Sequence, residues 1–230
     1  MNLGKVESLW RYPVKSLIGE NLDTLNITNR GVSGDREYAI LDSEGKFGSG
    51  KNTRRFKRID GLFSMSAKTT NNSISIAFPD GTILNNSDSL INKKLSETLE
   101  QRVTLTKEAK TSHFDDGSIH ILTTSSLALL QNLLPDSGID VRRFRPNIVI
   151  DCPLLDDELV GKTICIGETI LVITHKTERC RMVTLAQLGI EKRPEILKSV
   201  SKNFGLDFGV YARVLSTGTI SVGDRIETTL

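Results

Sequence analysis

Cysteine is scarce in this chain: three in 230 residues, Cys152, Cys165 and Cys180, an odd count with no CxxC pair. That excludes a disulfide framework, a zinc ribbon and a four-cysteine iron–sulfur cluster built by this chain alone. A reducing compartment follows, and a cytoplasmic protein is expected. No apolar run approaches the roughly 18 residues that span a bilayer, and the N-terminus enters an alternating pattern without an apolar signal core, so no membrane association is expected. Neither sign of charge dominates: 30 Lys and Arg against 28 Asp and Glu leave a net charge of +2, too mild to call for nucleic acid. Aromatics are few, yet 38% hydrophobic residues over this length suffice to bury a core without staples.

What is present reads as short strands punctuated by turns. Lys5–Tyr12 alternates apolar and polar side chains and stops at Pro13. Leu22–Thr28 forms a second strand that reaches a turn with Gly31 and Gly34, and Glu37–Leu41 a third. Residues 43–52 are rich in glycine and lysine but lack the order of a Walker loop, so they read as a long hairpin loop or an anion contact. Leu62–Ala67 and Ser73–Phe78 are further strands, the second ending at the turn Pro79-Asp80-Gly81. Asp88–Leu99 has helical spacing, with Ser87 as the expected N-cap, and Arg102–Thr106 is strand-like. The polar stretch Lys107–Gly117 is the expected boundary between two domains, residues 1–110 and 111–230.

Past that boundary, Ile119–Leu122 runs into Thr123-Thr124-Ser125-Ser126, which opens a helix with Leu127, Leu130, Leu133 and Leu134 on its apolar face. Such a helix start either caps itself or binds an anion, since its free N–H groups point outward. Arg142, Arg143 and Arg145 precede the strand Ile148–Ile150, as a phosphate-binding patch or as a solvated edge. Strands at Thr163–Ile166 and Thr169–Thr174 then deliver Cys180, bracketed by Arg179 and Arg181. Two neighbouring guanidiniums favour the thiolate, the form that ligates metals and attacks electrophiles. A lone cysteine is equally at home half-buried at a strand end, as Cys152 and Cys165 are expected to be in apolar strands. A short helix begins at Pro194, and strands at Gly209–Leu215 and Arg225–Thr228 close the chain. His113, His120 and His175 share no ligand spacing and receive no role.

Four stretches in order, Tyr12-Pro13-Val14-Lys15-Ser16, Gly34-Asp35-Arg36, Arg143-Phe144-Arg145-Pro146-Asn147-Ile148, and Arg179-Cys180 with Thr184, resemble the MOSC family together with its N-terminal β-barrel domain. Phe208-Gly209-Val210-Tyr211-Ala212 and Gly223-Asp224 extend the likeness. The fold so implied is α+β and β-rich: a MOSC-type β-barrel joined to an N-terminal β-barrel-like domain. The resemblance implies a molybdenum cofactor, Mo-molybdopterin, with Cys180 as the single protein ligand of the metal and no use of pyridoxal phosphate. Lys15, Ser16 and Arg36 would hold its phosphate and pterin from one side, and Thr123, Thr124, Arg145, Asn147, Glu178, Arg179 and Thr184 from the other. The activity implied is reduction of N-hydroxylated or N-oxide substrates. Electrons would come from a separate donor protein, such as a ferredoxin, a flavodoxin or a cytochrome b5-like protein with its reductase. A cofactor or sulfur carrier using a Cys180 persulfide is the alternative. After the cysteine the chain departs from the Asp-Pro-x-Thr-Gly-like run of mitochondrial amidoxime reductases, reading Leu185-Ala186-Gln187-Leu188-Gly189.

Overall fold

A computed structural model describes residues 1–70 and 73–229. Alternation shapes its largest sheet. In β1 (Asn2–Arg11) a register shift between Val6 and Ser8 adds one residue to the strand, so Val6 and Leu9, three apart, both turn inward. Six more strands join it: β2 (Ile119–Thr123), β3 (Ile148–Asp151), β4 (Thr163–Ile166), β5 (Thr169–Glu178), β6 (Asp207–Ser216) and β7 (Arg225–Thr229). Their order is β3-β2-β6-β5-β4-β7-β1, and β1 pairs again with β3, closing a seven-stranded barrel. Closure removes the sheet edges, and every second side chain fills the interior, Ile119 and Ile121, Ile164 and Ile166, Leu171 and Ile173 among them. Each such side chain contributes about 1.5–3 kcal/mol.

The described residues include three α-helices, α1 (Ile91–Thr98), α2 (Thr124–Leu133) and α3 (Pro194–Phe204). Helix α2 bridges β2 and β3, the one parallel pair in the barrel. It packs with α3 over a cluster of Leu122, Leu130, Phe144, Val183, Ile196, Val200 and Phe208. Of the four leucines expected on its apolar face, Leu130 is buried and Leu133 is 42% exposed. Thr24–Thr28, Gly31–Val32 and Gly218–Ser221 form a small sheet against the barrel core, and a second body is built mostly from the N-terminal half. A four-stranded sheet (Val103–Lys107, Tyr38–Asp42, Phe47–Ser49, Phe56–Arg58) and a three-stranded one (Ile83–Asn85, Ser73–Ala77, Ser66–Thr70) enclose a core that includes Val14, Leu17, Met65 and Leu95.

The sheets cross residue 110. Strand β1 comes from the N-terminal segment yet is a stave of the barrel, and Gly218–Ser221 pairs with Thr24–Thr28. Several elements differ from expectation. The strand expected over 22–28 is two, Glu20–Leu22 and Thr24–Thr28. The loop 43–52 contains the strand Phe47–Ser49, which pairs with Phe56–Arg58. Leu62–Ser64 is a 3-10 turn, because Gly61 stands at φ 87° before it and Ser64 Oγ donates back to the Gly61 carbonyl. Helix α1 starts after Leu90; Asp88, not Ser87, accepts the Leu90 N–H at 2.8 Å. Among the described residues no helix is long and apolar enough to cross a membrane.

Candidate functional site

Strand β5 runs to Glu178, four residues beyond its expected end, and its ladder with β6 continues to the pair Glu178 and Asp207. Arg179 N–H donates to the Leu206 carbonyl at 2.7 Å. Cys180 is therefore delivered in extended conformation just before a 3-10 turn, Arg181–Thr184. Arg143, 1% exposed, pins that turn from beneath: Nη1 donates to the carbonyls of Val183 (3.3 Å) and Leu185 (3.2 Å), and Nη2 to that of Glu191. From the other body, Gly50 N–H donates to Met182 Sδ at 2.8 Å.

The half-buried Cys180 lines a cleft of about 110 Å³, partly open to solvent, between the two bodies. Six cations border it, Lys15, Arg36 and Lys51 from one side and Arg143, Arg145 and Arg179 from the other, against two carboxylates, Asp115 and Glu178. In a chain of near-zero net charge this concentrates positive potential in one place. Lys15 is 4% exposed; its Nζ donates to the His113 carbonyl (2.6 Å) and to Asp115 (2.8 Å), and burial lowers its pKa to about 8. Arg36 pairs with Asp35 and reaches the Arg145 carbonyl at 3.3 Å. Arg145 Nη1 donates to the Leu17 carbonyl at 2.6 Å, with its guanidinium over the Tyr12 ring. Burial, then Arg36, pulls its pKa down to about 10, so it stays charged at neutral pH. Ser16, Arg36 and Arg145 adopt φ of 65°, 51° and 57°. Left-handed backbone costs a non-glycine residue about 1–3 kcal/mol, and such strain gathers at binding sites.

Of the residues singled out in the sequence, Lys15, Ser16, Arg36, Arg145, Glu178, Arg179 and Cys180 line this cleft. Thr123, Thr124, Asn147 and Thr184 do not. Thr123 Oγ1 caps α2 by accepting the Ser126 N–H (3.1 Å), and Thr124 donates to Asp151. Asn147 accepts the His120 N–H and donates to the Trp10 carbonyl; Thr184 donates to the Arg181 carbonyl. The anion at the start of α2 is the chain's own Asp156. It accepts N–H groups from Thr123 (2.7 Å) and Gly209 (2.9 Å), and burial pushes its carboxyl up to about 6. Arg142 pairs with Asp140 outside the cleft, and the exposed Arg181 also points elsewhere, so Arg179 alone of the bracketing pair faces the cleft with Cys180.

His120, Tyr211, Asp115 and Met182, which carried no role in the sequence, also line the cleft, as do Ser49 and Lys51 from the loop 43–52, whose sequence fits either a hairpin loop or an anion contact. His120 is buried and held neutral, its pKa driven well below the usual value by burial and then by Arg179. Gly209, at φ 91°, packs so closely that a Cβ there would lie 2.2 Å from His120 Nε2. That glycine was the available signal: it marks the strand position facing a buried ring.

A sequence model described as the MOSC domain matches residues 108–227, and one described as the MOSC N-terminal beta barrel domain matches residues 3–118. The chain belongs to the MOSC family. That family is associated with the molybdenum cofactor, through its binding or its sulfuration. A molybdenum cofactor sulfurase of Drosophila ananassae is 31% identical over 133 residues, 55% of this chain and 17% of that protein. The one of Drosophila erecta is 24% identical over 240 residues, 87% of this chain and 30% of that protein. This MOSC chain thus spans under a third of the length of either relative. The YuaD protein of Bacillus subtilis superposes with a TM-score of 0.52 at 14% identity, over 98% of this chain and 94% of that one, a likeness of fold.

The cleft of this MOSC protein suits a cofactor of that kind. Arg145 Nη2, Arg179 Nε, His120 Nε2 and Thr177 Oγ1 are buried and have no hydrogen-bond partner. All belong to residues lining the cleft, and leaving such groups unmade costs about 1–3 kcal/mol each. A phosphate and a polar heterocycle supply the acceptors and donors these atoms lack. Among the described residues no three His, Cys, Asp or Glu side chains converge as a metal cage. A metal held by Cys180 must bring its remaining ligands with it, as a pterin dithiolene does.

Proposed function

We propose that this chain binds Mo-molybdopterin in the cleft, with Cys180 as the protein ligand of the metal, and reduces N-hydroxylated or N-oxide substrates. The observation that carries this reading is a thiol lining a cationic cleft in which buried guanidinium N–H groups lack acceptors. When bound, the cofactor supplies two-electron redox chemistry: the N–O bond breaks, and two electrons and two protons release its oxygen as water. The electrons come from a separate donor protein. The chain's own side chains bind and orient. Lys15, Arg36 and Arg145 neutralise the phosphate, Ser16 and Arg179 fix the pterin, and the Arg143 clamp holds Cys180 at one depth. Neutral His120, packed against Gly209, forms part of the cleft wall without adding charge.

The test is turnover by molybdenum-loaded protein, with reduced viologen as donor, on amidoximes, hydroxylamines and N-oxides. Activity that vanishes in Cys180→Ala supports the reading; an inactive loaded protein contradicts it. A second reading draws support from the relatives named as molybdenum cofactor sulfurases: Cys180 carries a persulfide for delivery to another protein. It predicts an additional sulfur on Cys180 by intact mass and no turnover.

A further inference from the structure

Beside the cysteine cleft lies a second cavity of about 600 Å³, between residues 59–64 of the N-terminal body and residues 181–192. The side chain of Met182 is the shared wall. That wall is built for its position: Gly50 N–H donates to Met182 Sδ, and a Cβ on Gly50 would lie 2.5 Å from that sulfur and 2.7 Å from Leu185 Cδ1. The cavity's own walls are tied together as well. Leu188 N–H donates to the Phe63 carbonyl at 3.2 Å, and Gln187 and Ile190 exchange backbone hydrogen bonds of 2.9 and 2.8 Å.

Its lining combines three properties. Leu62, Phe63, Leu185 and Leu188 give it apolar faces. Gln187, 7% exposed, is one of the lining residues, and its amide nitrogen is buried and has no hydrogen-bond partner. Arg181 and Lys192 stand at the rim without an ion-pair partner among the described residues, whereas Asp60 is taken by Arg58. An apolar cavity with a few convergent polar groups is the usual form of a small-molecule site. An unpaired donor amide and two free cations select an acceptor, and an anionic one most strongly.

We propose that this cavity is a substrate pocket adjoining the Cys180 cleft across the Met182 wall, and that it takes a small molecule with an apolar, aromatic-sized body and an anionic group that meets Gln187 and the rim cations. In calling the occupant a substrate the inference rests on the function proposed above; the binding itself does not. The substrate class becomes an aromatic N-hydroxylated or N-oxide compound that bears a carboxylate or similar anion. Met182 separates its body from the cysteine.

The chain has three methionines, of which Met65 is buried in the other body's core and Met1 is exposed, so methyl-labelled methionine gives one reporter at the pocket and two away from it. The full chain is titrated with 2-naphthoate and, for comparison, with 2-naphthylmethylammonium, which has the same body and the opposite charge. The expected result is a saturable shift of the Met182 methyl by naphthoate alone. Affinity falls about tenfold in Gln187→Met, the loss of one hydrogen bond to a charged acceptor. It falls likewise in Ala186→Phe, a substitution at an exposed position of the lining that fills the pocket without disturbing the fold. Naphthoate that leaves Met182 unshifted, or binds both variants as tightly as the parent, overturns the proposal. Because this titration needs no metal, a loaded protein without turnover whose Met182 still responds removes the function and keeps the pocket. Turnover of an anionic aromatic substrate with unchanged KM in both variants removes the pocket and keeps the function.

Discussion

Lys15 lies against the Phe47 and Phe56 rings, and stripping water from its ammonium lowers its pKa from 10.5 to about 8 despite the opposing pull of Asp115. Below about 8 both folded and unfolded chains carry that charge; between about 8 and 10.5 only the unfolded chain does. Stability at this site therefore rises with pH across that window, while attraction for a phosphate falls as pH passes about 8. The expected outcome is a cofactor affinity that weakens above about 8 in a binding titration, with the inflection lost in Lys15→Met. Arg145 and Cys180 stood out in the sequence as residue types that suit an anion or a soft metal, whereas Lys15 and Arg36 were singled out only through the resemblance of their motifs to the MOSC family. His120 and Asp115 were not. Their part in the cleft depends on which strand faces which, and no local pattern carries that. Arg143 was seen only as one of a cationic group, whereas burial beneath the Cys180 turn makes it a clamp.

Among the elements, the turn after β5 depends on that clamp. A lysine has one donor head where the guanidinium serves three carbonyls, so Arg143→Lys leaves backbone acceptors unpaired. Amide exchange over residues 181–193 should accelerate by roughly tenfold or more, equivalent to about 1.5–3 kcal/mol, with the barrel strands unchanged. Helix α2 depends on Asp156 in the same way. Asp156→Ala strips the acceptor from Thr123 and Gly209, at about 1–3 kcal/mol each, and calorimetry should show a melting point lower by roughly 4–24 °C. The sequence showed α2 and its hydroxyl-rich start but not the distant carboxylate that satisfies it, 30 residues or more along the chain. The barrel strands were readable from alternation and β-branched runs. Phe47–Ser49 and Phe56–Arg58 were not, since glycine and charge dominate those stretches and their parallel pairing decides them.

For the whole molecule, the feature of consequence is that β1 closes the barrel made by the C-terminal half. A fragment of residues 111–230 loses the partner of both β3 and β7 and exposes two strand edges. Expressed alone, it should aggregate or show no cooperative melting, whereas the full chain should unfold in a single calorimetric transition. The same interlocking sets the cleft, since Lys15 and Arg36 follow directly from β1 and its neighbours while Arg145 and Cys180 come from the barrel's own loops. The central claim is that Cys180 is the one protein ligand of a molybdenum centre in this cleft. Elemental analysis of protein purified from a host that makes the cofactor, beside Cys180→Ala, tests it most directly. The account predicts near-stoichiometric molybdenum in the parent and its loss in the variant; equal molybdenum in both, or none in either, would contradict it.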